Sequence, residues 1–270
     1  MEPIKQGLRR LGLFGIAKRL YTTVADTAVL RSGEYPIEIG DTSAVYHVSN
    51  HTELNRLRSM TERDVMEQLL SDLRDDDVFY DIGANVGIYS CLVGDRLPEN
   101  SVYAFEPHPA NVARLSENLR LNGIHATIFQ KALSDSEGEV NLSVAVESHT
   151  TAPSHNLLEL TESIEAYGEG SAERTSVDML RGDGLVANRD VPAPTVLKVD
   201  VEGAEYNVLK GFEETLRRDE CRLVYCEVHL RHLPKFDASE DELLDLLKSY
   251  GFELTTIDDR GDKYHLRASK

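Results

Sequence analysis

Two stretches hold the residue types a small-molecule site needs. In VFYDIGANVGIYS, residues 78–90, an apolar run carrying Asp81 breaks at Gly83, passes Ala84 and Asn85, and resumes its apolar period after Gly87. A buried strand that ends in glycine and turns directly into a helix aims free N–H groups at the crevice beyond the strand ends. Glycine brings the backbone close to a ligand because no Cβ stands in the way. Nineteen residues after Gly87 (106 minus 87), Glu106 stands at the tip of the next apolar run, SVYAFEP. A carboxylate there can accept two hydrogen bonds from a ribose diol. Dinucleotide sites use G-x-G-x-x-G because a pyrophosphate presses on the turn, whereas Ala84 and Asn85 fill the middle here. Two carboxylates and no phosphate cradle suit a cationic adenosine-type ligand, and S-adenosylmethionine has that chemistry.

The second stretch, KVDVEGAE, puts Asp200 at the end of an apolar run with Glu202 and Glu205 where a helix begins. CRLVYCEVHL adds Glu227 and His229. In an open α/β sheet the strand ends surround the crevice, so these groups can converge beside a transferable methyl. Methyl transfer from a sulfonium is an in-line displacement, which leaves the protein to align the partners and take the acceptor's proton. Asp200 and His229 are the candidate bases and Glu227 the orienting group. Glu202 is a candidate too, although an acid at a helix start equally serves as a turn or dipole residue. A divalent ion on Asp200, Glu202 and Glu227 is conceivable for hard oxygen donors, but no ligand spacing calls for one and no metal is expected.

The surrounding periodicity supplies the elements. Residues 61–74 place Val65, Met66, Leu69, Leu70 and Leu73 on one helical face, with Thr61 as cap. Strands at 78–82, SVYAFEP and ATIFQKAL alternate with helices at 86–94 and PANVARLSENLRLNG, the pattern of a parallel sheet with crossover helices. TVLKVDVEG and CRLVYCEVHL continue it around the helix AEYNVLKGFEETLRR. SEDELLDLLKSYG reads as a helix with a Ser239–Glu242 capping box. FELTTI and KYHLRA flank the polar turn DDRGD as an antiparallel hairpin. Between ATIFQKAL and TVLKVDVEG, residues 136–194 are a long, weakly periodic excursion, which at this length reads as functional or lid-like. Its segment ESHTTAPSHN, with His149, Thr150, Thr151 and His155, either contacts a polyol or sugar acceptor or is a solvated loop.

Composition narrows the partners. A net charge of -18 argues against nucleic acid, whose binding rests on basic surface releasing counterions. The 29 basic residues comprise 20 Arg and 9 Lys, and with the excess acid this suits solubility at high salt; an ordinary acidic protein reads almost the same. Cys91, Cys221 and Cys226 form no metal or disulfide spacing, which makes a reducing, cytoplasmic setting the default. Arg9–Arg10 and LGLFGIA imitate an export signal, but Lys18 and Arg19 cut the apolar run short. No run reaches the length of a membrane span. The basic, glycine-broken N-terminus leaves room for peripheral contact with anionic lipid, for packing on the body or for a homo-oligomer.

FYDIGANVGIYS, VYAFEPHPANVARLSENL, ALSDSEGEVNL, LKVDVEGAEYNVLKGF and LVYCEVH, taken together and in this order, resemble the FkbM family of class I S-adenosylmethionine-dependent methyltransferases over residues 60–260. The resemblance implies an α/β, Rossmann-like sheet of seven mostly parallel strands with an antiparallel C-terminal hairpin and helices on both faces. Residues 1–58 would be an N-terminal arm and extension, and 59–270 the catalytic domain. It further implies that Asp81, Gly83, Ala84, Asn85 and Gly87 cradle the methionine end of S-adenosylmethionine. Glu106 would hold the ribose, with Pro107 and His108 beside it. The usual acid reading the adenine is replaced by Lys131, leaving that role to Asp135 or the backbone at Ala132 and Leu133. The activity implied is O-methylation of a hydroxyl on a sugar, glycan or small metabolite. A nicotinamide-dependent oxidoreductase and a non-catalytic cofactor-binding partner subunit are the rival readings.

Overall fold

The computed structural model describes residues 14–145, 156–159, 172–188 and 191–270. Its central strand, β3 (Phe79–Ile82), is buried at all four positions. It pairs in parallel with β4 (Val102–Phe105) on one side and β10 (Val196–Val199) on the other. β5 (Ala126–Phe129) extends the sheet beyond β4, and β11 (Leu223–His229) extends it beyond β10, again in parallel. β13 (Lys263–Ser269) and β12 (Glu253–Asp259) close the far edge as an antiparallel hairpin. The order β12-β13-β11-β10-β3-β4-β5 reverses direction at β3, so the crevice of a doubly wound sheet opens where β3 and β10 end. This is the Rossmann-like, mostly parallel sheet of seven strands expected from the sequence, with the antiparallel hairpin at its edge.

Alternation along the strands feeds two cores. Phe79, Val102, Ala104 and Val196 face one core with Leu92 and Leu115. Tyr80, Ile82, Phe105, Leu197 and Val199 face the other with Val208, Leu216 and Leu243. The first face is covered by α2 (His51–Ser59), α3 (Arg63–Asp72), α4 (Ile88–Arg96) and α5 (Pro109–Leu121), and the second by α6 (Gly182–Ala187), α7 (Glu205–Gly211), α8 (Glu213–Leu216) and α9 (Glu240–Ser249). The hairpin of β1 (Glu34–Ile39) and β2 (Thr42–His47) follows α1 (Phe14–Ser32) and packs on the first face. Two asparagines of the α5 region fasten it: Val45 N–H donates to Asn122 Oδ1 at 2.7 Å and His47 N–H to Asn118 Oδ1 at 2.9 Å.

Several expected elements change shape. ATIFQKAL divides into β5 and β6 (Ala132–Ser134), and β6 joins a second sheet, ordered β6-β9-β7-β8. Its other strands are β7 (Gly138–Ala145), β8 (Asn156–Glu159) and β9 (Ala172–Arg181). The described part of the excursion is therefore mainly strand; Val140, Leu142 and Val177 supply the small core, and solvated partners between them dilute the alternation. The helix expected from Ala204 breaks at Phe212 into α7 and α8. Thr61 does not cap α3, which begins at Arg63 after Glu62, whereas the Ser239 capping box on α9 is present. His149, Thr150, Thr151, His155 and the first thirteen residues lie outside the described segments.

Candidate active site

A cleft of about 510 Å³ opens at the ends of β3, β4, β10 and β11, and a second hollow of about 170 Å³ adjoins it through Gly83, Asn85, Glu62 and Asp200. Its geometry starts at the glycine turn. Gly83 has φ +77° and a Cβ there would sit 1.8 Å from the Asp200 carbonyl oxygen, so only glycine fits. Asn85 also lies in the left-handed region, at φ +52°. Gly87, at φ +85°, ends the turn against Leu115 and does not line the cleft. Gly83, Ala84 and Asn85 thus wall the hollow, while Gly87 packs the turn onto α5.

Glu106 faces this turn. Its Oε2 accepts from Asn85 N–H at 2.9 Å, and its Oε1 accepts from His108 N–H at 2.8 Å and Asn111 Nδ2 at 3.2 Å. Burial pushes its carboxyl up, against the donors from His108, Asn111 and Asn85. Glu106 and Pro107 line the cleft with Ala132, Leu133 and Lys131. His108 contributes its backbone donor. Asp135 stands apart, paired with Lys210 at 2.8 Å.

Asp81 is placed differently from the expectation of a ligand-facing carboxylate. The parallel register sets it directly beside Lys198, and it is fully buried behind the glycine turn. Ser90 Oγ donates to its Oδ2 at 2.6 Å, and Lys198 Nζ lies 3.3 Å from its Oδ1. The same ammonium donates to Gly83 O at 2.8 Å and sits 5.2 Å above the Tyr89 ring. Asp81 therefore holds Lys198, and Lys198 holds the turn; neither lysine nor Ser90 was singled out in the sequence, although a lysine interrupting the apolar run VLKV is a visible signal.

Register also gathers the acid cluster. Glu227 pairs with His265 and His229 with Lys263 across β11 and β13, while Asp200 follows β10 beside them. Asp200 lines the cleft and its carboxyl is pushed up to about 7, chiefly by burial, with Lys198 pulling down and Glu227 and Glu62 pushing up. Lys198 Nζ is 3.7 Å from it. Glu202, in the left-handed region at φ +57°, turns the chain and also lines the cleft.

His229, a candidate base in the sequence, sits within a network of acids. Its Nδ1 lies 2.8 Å from Glu205 Oε1, and its Nε2 lies 3.3 Å from both Glu202 and Glu227. Burial alone would lower its pKa, but Glu205 and Glu227 push it up to about 11. The neighbouring acids favour its imidazolium form, in which His229 pairs with Glu202, Glu205 and Glu227. Burial opposes ionisation of Glu227 too, yet His229 and Lys263 hold its carboxyl well below the usual range. Asp200, Glu227 and His229, and likewise Glu62, Glu227 and His265, have donor atoms within 4.8 Å of one another and could reach a metal ion. Both sets share Glu227, on which the Lys263 ammonium already sits at 2.8 Å.

The three cysteines are free and buried, and no helix among the described residues is long and apolar enough to cross a membrane.

Comparison with known proteins matches this frame. The methyltransferase FkbM domain model matches residues 81–254. Hexuronic acid methyltransferase AglP of Haloferax volcanii is 32% identical over 199 residues, covering 73% of this chain and 75% of that protein. 31-O-demethyl-FK506 methyltransferase FkbM of Streptomyces tacrolimicus is 27% identical, covering 70% and 77% respectively. A crystal structure of methyltransferase FkbM from Methylobacillus flagellatus superposes with a TM-score of 0.45 at 17% identity, over 73% of this chain and 45% of that one. With the family span running from the glycine turn through the acid cluster to the C-terminal hairpin, this chain belongs to the FkbM family of methyltransferases.

Proposed function

We propose that the chain transfers the methyl group of S-adenosylmethionine to a hydroxyl oxygen of a sugar or glycan. The observation carrying this reading is the place of Asp200, on the cleft wall and beside the glycine turn, where burial pushes its carboxyl up to about 7. A general base works best when its pKa lies near the operating pH. The carbohydrate class is supported by the relative named for a hexuronic acid, and transfer to oxygen by relatives whose names specify a 31-O-demethyl substrate and a 2-O-methyl transfer.

In this reading, Glu106 takes the ribose hydroxyls, and Gly83, Ala84 and Asn85 let the methionine end lie against backbone. The acceptor oxygen attacks the methyl carbon in line with the sulfur. A C–O bond forms and the C–S bond breaks, with its electron pair going to sulfur, which becomes a neutral thioether. The hydroxyl proton passes to Asp200. His229 and Lys263 keep Glu227 ionised beside it, so the proton is not shared into a neighbouring carboxyl. Lys198 anchors both the turn and the base, tying cofactor and acceptor geometry to one side chain.

The test is to incubate the protein with methyl-labelled S-adenosylmethionine and a set of hexuronic acid-bearing and neutral glycans. Label on carbohydrate that survives mild alkali, as an ether does, supports the reading. Alkali-labile ester, label on nitrogen, or NADH binding without S-adenosylmethionine binding would overturn it.

A further inference from the structure

The cleft's charges are unevenly matched. Its walls carry Glu62, Glu106, Asp200, Glu202 and Glu227. The lysines that line the two hollows already have partners: Lys131 is 2.7 Å from Asp178, Lys263 is 2.8 Å from Glu227, and Lys198 is 3.3 Å from Asp81. Arg56 lines both hollows and makes no ion pair among the described residues.

Its placement follows from α2. Leu54 and Leu57 are buried and anchor the helix to the first core. Thr52, Asn55, Arg56 and Ser59 occupy positions i, i+3, i+4 and i+7, which fall on one helical face, and all four line the cleft. The polar face of a helix from the N-terminal extension thus forms a wall opposite the glycine turn.

S-adenosylmethionine presents three charges: a sulfonium, an ammonium and a carboxylate. An acid-walled cleft suits the first two and repels the third. We propose that Arg56 is the receptor for the methionine carboxylate of S-adenosylmethionine, a role that completes the cofactor site from outside the family span. The inference rests on the reading of the cleft as an S-adenosylmethionine site and deepens it. The second hollow, where Arg56 meets Gly83, Ala84, Asn85 and Asp200, is the methionine end, because Glu106 fixes the ribose end. A planar guanidinium matches a carboxylate with two parallel hydrogen bonds.

The experiment is a calorimetric titration of the full chain and of Arg56→Ala and Arg56→Lys with S-adenosylhomocysteine and its decarboxylated analogue, S-adenosyl-3-thiopropylamine. The unaltered protein should bind the product roughly 10- to 100-fold more tightly than the analogue, the worth of a charge-assisted pair. Arg56→Ala should lose that factor for the product and bind the analogue as before, which also shows that the variant is folded. Arg56→Lys should fall between. Product affinity unchanged in Arg56→Ala overturns the proposal, and a raised KM for an acidic glycan with that result reassigns the arginine to a carboxylate of the acceptor. Failure of the unaltered protein to bind S-adenosylhomocysteine would instead bring down the cofactor reading itself, and this proposal with it.

Discussion

Replacing Asp200 by Asn should stabilise the protein while removing its activity, because the same half-buried charge does both jobs. The Asp200 carboxyl moves from 3.8 to about 7 on folding. At 1.36 kcal/mol per unit this corresponds to about 4 kcal/mol, and a side chain still 25% exposed brings the usable figure to about 2 kcal/mol. The sign follows from linkage: the folded state holds this proton more tightly than the unfolded chain, so stability is greatest below the unfolded pKa. It falls as pH rises toward the folded value and stays lower above it. Asparagine carries no such penalty, and Lys198 keeps Asp81 as its partner. Thermal melts should therefore show Asp200→Asn more stable than the unaltered protein by about 2 kcal/mol near pH 8 and equal to it near pH 3. Turnover, followed as S-adenosylhomocysteine release, should drop by about 10²- to 10⁴-fold. In the unaltered protein kcat/KM should rise as pH climbs through about 7. A variant that keeps turnover within about tenfold, or that is destabilised near neutral pH, would refute Asp200 as the base.

Two further outcomes follow from the same geometry. Gly83→Ala forces a Cβ into a left-handed backbone 1.8 Å from the Asp200 carbonyl oxygen and should cost about 2–5 kcal/mol in urea unfolding; a cost below about 1 kcal/mol would show that the turn has another shape. Since Lys263 already sits on Glu227, chelation by EDTA should leave methyl transfer unchanged. A loss that Mn²⁺ restores would instead place a divalent ion on Asp200, Glu227 and His229.

The sheet was legible because its signals are local: buried runs, strand-end glycines, a capping box and a polar hairpin turn. The position of Glu106 was legible for the same reason, since the spacing from Gly87 spans one crossover helix. The burial of Asp81 against Lys198 was not legible, because it is set by the register of β3 against β10, which brings in Lys198 from far along the chain. The pairing of His229 with Glu205 was not legible, because no spacing ties the two residues together. The second sheet escaped notice because half-solvated strands break the apolar run that marks a buried one. Arg56 escaped because the polar face of a short amphipathic helix becomes a cleft wall only through tertiary packing.

The most direct test is a crystal structure of the protein with S-adenosylhomocysteine. Both ribose hydroxyls should lie within roughly 2.5–3.0 Å of Glu106, with the sulfur on the Asp200 side of the glycine turn and the methionine end reaching toward Arg56. A nucleoside bound elsewhere, or bound with its ribose away from Glu106, would contradict the account.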